Sequence, residues 1–194
     1  KTLQRRHLFL GKWGFVNSHI IPVILAYRDK KQYIYPMIKI ATRLTMPLDV
    51  GVDQYAERIH QQRQMKRAFS NVDAIRAIMT LMVSPLSLWC EGGFNDQTMD
   101  ELELYLVLFR NLLCIPDDYN ANDSTRFLHD QFILALRKAD FTELLTVVTQ
   151  YSVKTENARI ALLMLELWHH FFSLELAEDL AGVRHILSYQ ASSS

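Results

Sequence analysis

Glu101-Leu102-Glu103-Leu104-Tyr105-Leu106-Val107-Leu108-Phe109-Arg110-Asn111-Leu112-Leu113-Cys114-Ile115-Pro116 is the stretch around which the chain reads as organised. Leu102, Tyr105, Leu106, Phe109, Leu112 and Leu113 recur at i, i+3, i+4, i+7, i+10 and i+11, one face of an α-helix. Leu104, Val107 and Leu108 fill the opposite side. The middle of this helix is therefore apolar all round, and such a helix needs cover on most of its circumference. Pro116 pushes Ile115 toward an extended conformation and closes the helix.

The other segments read as the helices that supply this cover. Apolar periodicity predicts helices over residues 2–10, 18–28, 32–45, 53–69, 72–82, 125–138, 141–151 and 157–172, with a short piece over 174–180. Strand-like alternation is absent, and six glycines and five prolines are few for a chain rich in turns. Pro22 and Pro36 are expected near the starts of their helices, where amides lack intrahelical partners. Asp140 followed by Glu143 reads as a capping box. Residues 117–124 read as a polar, exposed connection. Ile38 to Pro47, Val107 to Pro116 and Ile160 to Phe172 echo one another as apolar inner helices, two of them stopped by proline. The expected fold is all-α, an irregular armadillo- or HEAT-like α-solenoid of about nine helices.

At 194 residues the chain is one domain, and its opening Lys1 and closing Ser192-Ser193-Ser194 read as a portion of a longer protein. Its net charge of zero conceals a split. Residues 1–70 hold 13 Lys/Arg against 4 Asp/Glu, a net +9, and residues 71–194 carry the compensating −9. Such asymmetry points either to a polyanion or acidic partner at one end, or to attraction between the halves. Arg63, Lys66 and Arg67 gather on one helical face, with Arg58 and His60 extending it. That face is either solvated or built for phosphates and acids. Lys30 and Lys31 add a second basic point.

Nothing reads as a catalytic centre, a cofactor loop or a metal site. Gly-rich phosphate loops, nucleophile elbows and zinc-protease helices are missing. His169 and His170 point about 100° apart on a helix, which suits packing better than a shared metal. His129-Asp130 lacks a nucleophile beside it. Cys90 and Cys114 have no ligand spacing and read as buried free thiols in a reducing compartment. Asn122-Asp123-Ser124 fits a glycosylation sequon of the kind that arises by chance. The most apolar run, residues 160–172, falls short of the ~20 residues of a membrane span, so no membrane is expected.

Arg110-Asn111-Leu112-Leu113-Cys114-Ile115-Pro116, then His129-Asp130-Gln131 and Asp140-Phe141-Thr142-Glu143-Leu144-Leu145, resemble the N-terminal domain of the Timeless family. Cys114 stands where that family usually has histidine. Ile20 to Leu25, Arg43 to Pro47 and Lys66-Arg67-Ala68-Phe69 are similar to further signatures in the same order, with a charge reversal at Arg67. Leu180-Ala181-Gly182 falls where the family's region ends. The resemblance implies a helical-repeat scaffold without an active site or cofactor. It implies a nuclear protein that pairs with a Tipin-type partner, travels with the replicative MCM helicase on fork DNA, protects stalled forks and supports the S-phase checkpoint. Another branch serves the circadian clock by binding period- and cryptochrome-type proteins. Duplex DNA or an acidic helicase surface is the expected contact of Arg58, Arg63, Lys66 and Arg67, with Lys30 and Lys31 behind them, and phosphate contacts of this kind are salt-sensitive.

Overall fold

A computed structural model describes residues 14–49, 51, 53–93, 95–118, 124–155 and 157–172. Among them every regular element is helical. A π-helical turn, Val16–Ile20, runs into α1 (Ile21–Ala26), followed by α2 (Lys31–Leu44), α3 (Tyr55–Phe69), α4 (Val72–Cys90) and α5 (Asp96–Cys114). A short 3₁₀ turn, Ser124–Phe127, leads into α6 (Leu128–Lys138), α7 (Phe141–Lys154) and α8 (Ala158–Phe171). The helices expected over 2–10 and 174–180, and the sequon at Asn122, lie outside the described residues.

The helices stack with a period of three. α1 packs on α4 and α4 on α7; α2 packs on α5 and α5 on α8; α3 packs on α6. The three apolar segments that echo one another in the sequence are thus the successive members of one row, α2–α5–α8. This is the arrangement of a three-helix solenoid, in which each unit buries its apolar face against the next. The starts of α2, α5 and α8 lie 65 and 62 residues apart, so the repeat is more regular in the structure than the sequence echo suggests.

Within that row α5 is the spine. Leu102, Tyr105, Leu106, Leu108, Phe109 and Leu112 are fully buried, each stabilising the fold by roughly 1.5–3 kcal/mol. The Phe109 ring meets Phe141 of α7 at 4.3 Å between centroids, and Tyr105 meets Tyr35 of α2 edge-on at 6.3 Å. Helix α5 starts at a reciprocal cap: Asn95 Oδ1 accepts the Thr98 amide at 2.9 Å while the Asn95 amide donates to Thr98 Oγ1 at 3.2 Å. Its end is extended at Ile115, with ψ 118° before Pro116, as the proline dictates.

Several local expectations are corrected. Helix α4 does not stop near Met82 but continues through Pro85 to Cys90. Pro85 and Trp89 are buried there, so packing outweighs the lost backbone bond. At this length α4 is also long and apolar enough to cross a membrane. Here Ala74, Ile75, Ile78 and Met82 are instead buried among other helices, α1, α5 and α6 being its main neighbours. Pro36 lies in the second turn of α2 rather than at its start. Asp140 forms no cap. Its φ of +63° places it in the left-handed region, and its side chain makes no bond to the α7 amides. Its amide instead donates to the Arg137 carbonyl at 3.1 Å, so Asp140 ends α6. Cys90, at the last position of α4, is exposed, and Cys114 is only half-buried.

One buried polar contact ties the row together. Asn111, 1% exposed, donates Nδ2 to the Thr42 carbonyl at 3.1 Å, linking α5 to the last turn of α2. Replacing Asn111 by Ala removes that donor and leaves a gap in a packed seam. Urea denaturation of the N111A variant is expected to show a loss of about 1–3 kcal/mol. A stability equal to that of the wild-type chain would show that the α2–α5 seam does not use this bond.

Candidate functional site: the polar face of α3 and the outward cations

An α-helix leaves its last carbonyls without amide partners, and a proline just beyond the end removes the chance of continuing the ladder. Helices α2 and α5 both end this way, before Pro47 and Pro116. Both ends come to lie against α3, whose composition is the most polar of the set. Gln62 is buried and donates Nε2 to the carbonyls of Leu44 at 3.2 Å and Met46 at 2.7 Å. Lys66, fully buried, donates Nζ to the Ile115 carbonyl at 2.8 Å and lies 3.3 Å from His129 Nδ1 of α6.

Arg63 completes the set. Its Nε donates to the Pro116 carbonyl at 3.0 Å, Nη2 to the Asp117 carbonyl at 2.7 Å, and Nη1 pairs with Asp118 Oδ2 at 2.7 Å. Its side chain is only 14% exposed. Cations at a helix C-terminus also meet the negative end of the backbone dipole, which adds to the hydrogen bonding. Asp117 in turn accepts the His129 amide at 2.8 Å. Residues 117 and 118, expected in an exposed connection, are therefore half-buried between α3 and α6.

This geometry divides the six basic residues singled out from the sequence. Arg63 and Lys66 do share a face of α3, but the face points into the molecule and binds backbone, not solvent. Arg67 is exposed on the same helix and Arg58 is half-buried. Lys30 is exposed at the α1–α2 turn, 6.0 Å from the centroid of the Tyr27 ring. Lys31 pairs with Glu101, a carboxylate buried in α5 that also accepts the Tyr105 hydroxyl at 2.9 Å. Burial and the adjacent carboxylate raise the Tyr105 hydroxyl's pKa, so it stays protonated as the donor.

Two outward cations went unmarked in the sequence reading. Lys39 and Arg43 are exposed on α2, in line with Gln32 and Pro36 at i, i+4, i+7 and i+11. That spacing was available in the sequence as a polar stripe opposite Ile34, Ile38 and Ala41. With Lys30 and Arg67 they are exposed cations of this half, and Arg58 is half-buried.

The only cysteine–histidine contact among the described hydrogen bonds, Cys114 Sγ to His170 Nε2 at 3.0 Å, joins α5 to α8. Burial raises the thiol's pKa and lowers that of the imidazole. Both shifts favour a neutral pair, the opposite of the thiolate–imidazolium pair a nucleophilic cysteine requires.

Burial is also the main influence on Lys66, lowering its pKa from 10.5 to about 8, with Asp117, then Cys114 and Asp130, acting in the opposite sense. The folded chain thus sheds this proton at lower pH than the unfolded chain. Stability linked to Lys66 is lowest below pH 8 and rises as pH climbs from about 8 to 10.5. The stability difference between wild type and Lys66→Met, followed by urea denaturation, is expected to shift by about 3 kcal/mol in favour of wild type across that range. A difference that stays flat with pH would mean that the ammonium is solvated.

The Timeless protein family model matches residues 4–194. The chain is also similar to the protein timeless homolog of Mus musculus, at 23% identity over 190 residues, covering 90% of this chain and 15% of that protein. It therefore spans about 15% of the length of the curated relative it matches. On the extent of the family match, the chain belongs to the Timeless family.

Proposed function

We propose that this chain is part of a non-enzymatic scaffold of the replication fork protection machinery. In this reading it acts in the nucleus, with a Tipin-type partner, the replicative MCM helicase and duplex DNA at the fork. The family supports the scaffold, and one observation carries the mechanism. Gln62, Arg63 and Lys66 face inward and join helix to helix, whereas Lys30, Lys39, Arg43 and Arg67 are exposed on the repeat stack, with Arg58 half-buried. A stack of fixed curvature presents such cations at set distances, which suits the sequence-independent spacing of phosphates or the acidic surface of a helicase. Its neutral cysteine–histidine contact offers no activated nucleophile, in keeping with a role in binding.

The outer and inner cations of α3 make different predictions. In the full-length protein, Arg58→Glu with Arg67→Glu is expected to weaken retention on duplex DNA by about tenfold at low salt, less at high salt, with an unchanged thermal midpoint. Arg63→Glu is expected to lower the thermal midpoint by several degrees, because it sets a carboxylate against Asp118 and two backbone carbonyls. DNA retention unaffected by the outer pair would remove α3 from the DNA interface. Purification of the full-length protein from cycling cells tests the fork reading itself: helicase subunits and a Tipin-type protein support it, and period- or cryptochrome-type proteins in their place move the chain to the clock branch.

A further inference from the structure

An open groove of about 720 Å³ lies beside the α1–α2 turn, lined by Asp29, Lys30, Lys31, Gln32, Tyr35, Pro36 and Gln97. Three observations describe its chemistry. Its floor is apolar, made by the half-buried Tyr35 ring and the exposed ring of Pro36. Its rim is basic. Lys30 is exposed and Lys31 is anchored on buried Glu101 with its side chain still 54% exposed. Lys39, one turn beyond the lining residues, holds Nζ 4.5 Å over the Tyr35 ring. Asp29 is the one carboxylate among the lining residues that faces them.

The third observation concerns the backbone. Pro36 has no amide proton, so the helical ladder cannot supply the Gln32 carbonyl with its usual partner four residues on. Gln32 and Pro36 both line the groove, so this carbonyl belongs to a lining residue. A carbonyl of this kind recruits an N–H donor. Phosphodiesters carry none, whereas an extended peptide carries one at nearly every residue.

We propose that this groove binds an extended acidic peptide segment of a partner protein, its carboxylates on Lys30, Lys31 and Lys39, an apolar side chain or proline on Tyr35 and Pro36, and a backbone amide on the Gln32 carbonyl. The assignment shares Lys30 and Lys39 with the fork reading but not Arg58 and Arg67, so the two pairs of reversals separate the two. Aromatic-floored grooves that take extended, proline-containing segments are a recurrent mode of peptide recognition.

The test is fluorescence anisotropy of a labelled peptide of about a dozen residues, glutamate-rich with interspersed leucine and proline, added to the full chain. Binding is expected to weaken at least tenfold in the Lys30→Glu, Lys39→Glu double variant and to fall with salt. Arg58→Glu with Arg67→Glu, remote on α3, is expected to leave it unchanged. Pro36→Ala is the second variant: it returns the missing amide to the helix, so its thermal midpoint is expected to rise while peptide affinity drops several-fold. Three results overturn the proposal: no peptide binding, binding indifferent to the lysine reversal, or tighter binding of a labelled single-stranded oligonucleotide that the same reversal abolishes.

Discussion

The constraint on which this structure depends is the treatment of helix ends. Stacking short helices in rows brings their C-terminal carbonyls into the interior, where water cannot reach all of them, and a buried carbonyl without a donor costs about 1–3 kcal/mol. Side chains from neighbouring helices meet that need repeatedly. Gln62 and Asn111 serve the end of α2, and Lys66 and Arg63 serve the end of α5. At the surface, Arg76 likewise donates to the Lys138 carbonyl at the end of α6 at 2.6 Å. The polarity of α3 follows from this position. It is a core-facing helix whose partners are backbone oxygens, and so it carries Gln, Arg and Lys where another helix would carry Leu.

The division of charge along the chain takes on a structural meaning in the same way. Lys31 with Glu101, Arg63 with Asp118 and, at 3.8 Å, Arg28 with Asp73 each join the basic first portion to the acidic remainder. Attraction between the halves therefore accounts for some of the asymmetry, and the cations on the outer faces of α2 and α3 account for what is left to partners. Exposed pairs such as Arg28–Asp73 contribute little to stability. The enclosed contacts at Lys66 and Arg63 matter more, because each removes a buried orphan group.

What the sequence made legible was decided by how many side chains point the same way. In α5, six fully buried apolar residues and a terminating proline agree, and both the helix and its central place were readable. The echo between α2, α5 and α8 was readable for the same reason, as a row of apolar helices. Periodicity also placed Arg63 and Lys66 on one face. It could not tell that the face looks inward, because lysine and arginine at helical spacing read as solvated until the carbonyls they meet are known. Pro85 and Asp140 were misread through local rules that tertiary packing overrode: a proline was carried inside α4 by burial, and an aspartate served as a left-handed stop. Cys90 was misplaced because apolar neighbours in sequence do not share its side of the helix.

One consequence follows from the unequal joints in the α2–α5–α8 row. Between α2 and α5 the link is enclosed: Asn111 meets the Thr42 carbonyl, and α3 grips both helix ends at once. Between α5 and α8 the polar links are mixed: the half-buried Cys114–His170 contact and Arg110 with Glu166 lie toward one end, and the more exposed Arg159 with Asp100 and Glu103 toward the other. In the second joint the Arg159 end is thus open to water, whereas the Cys114 end stays enclosed. Dissolved ions, which weaken exposed pairs and scarcely touch enclosed ones, would set how supple that open end is.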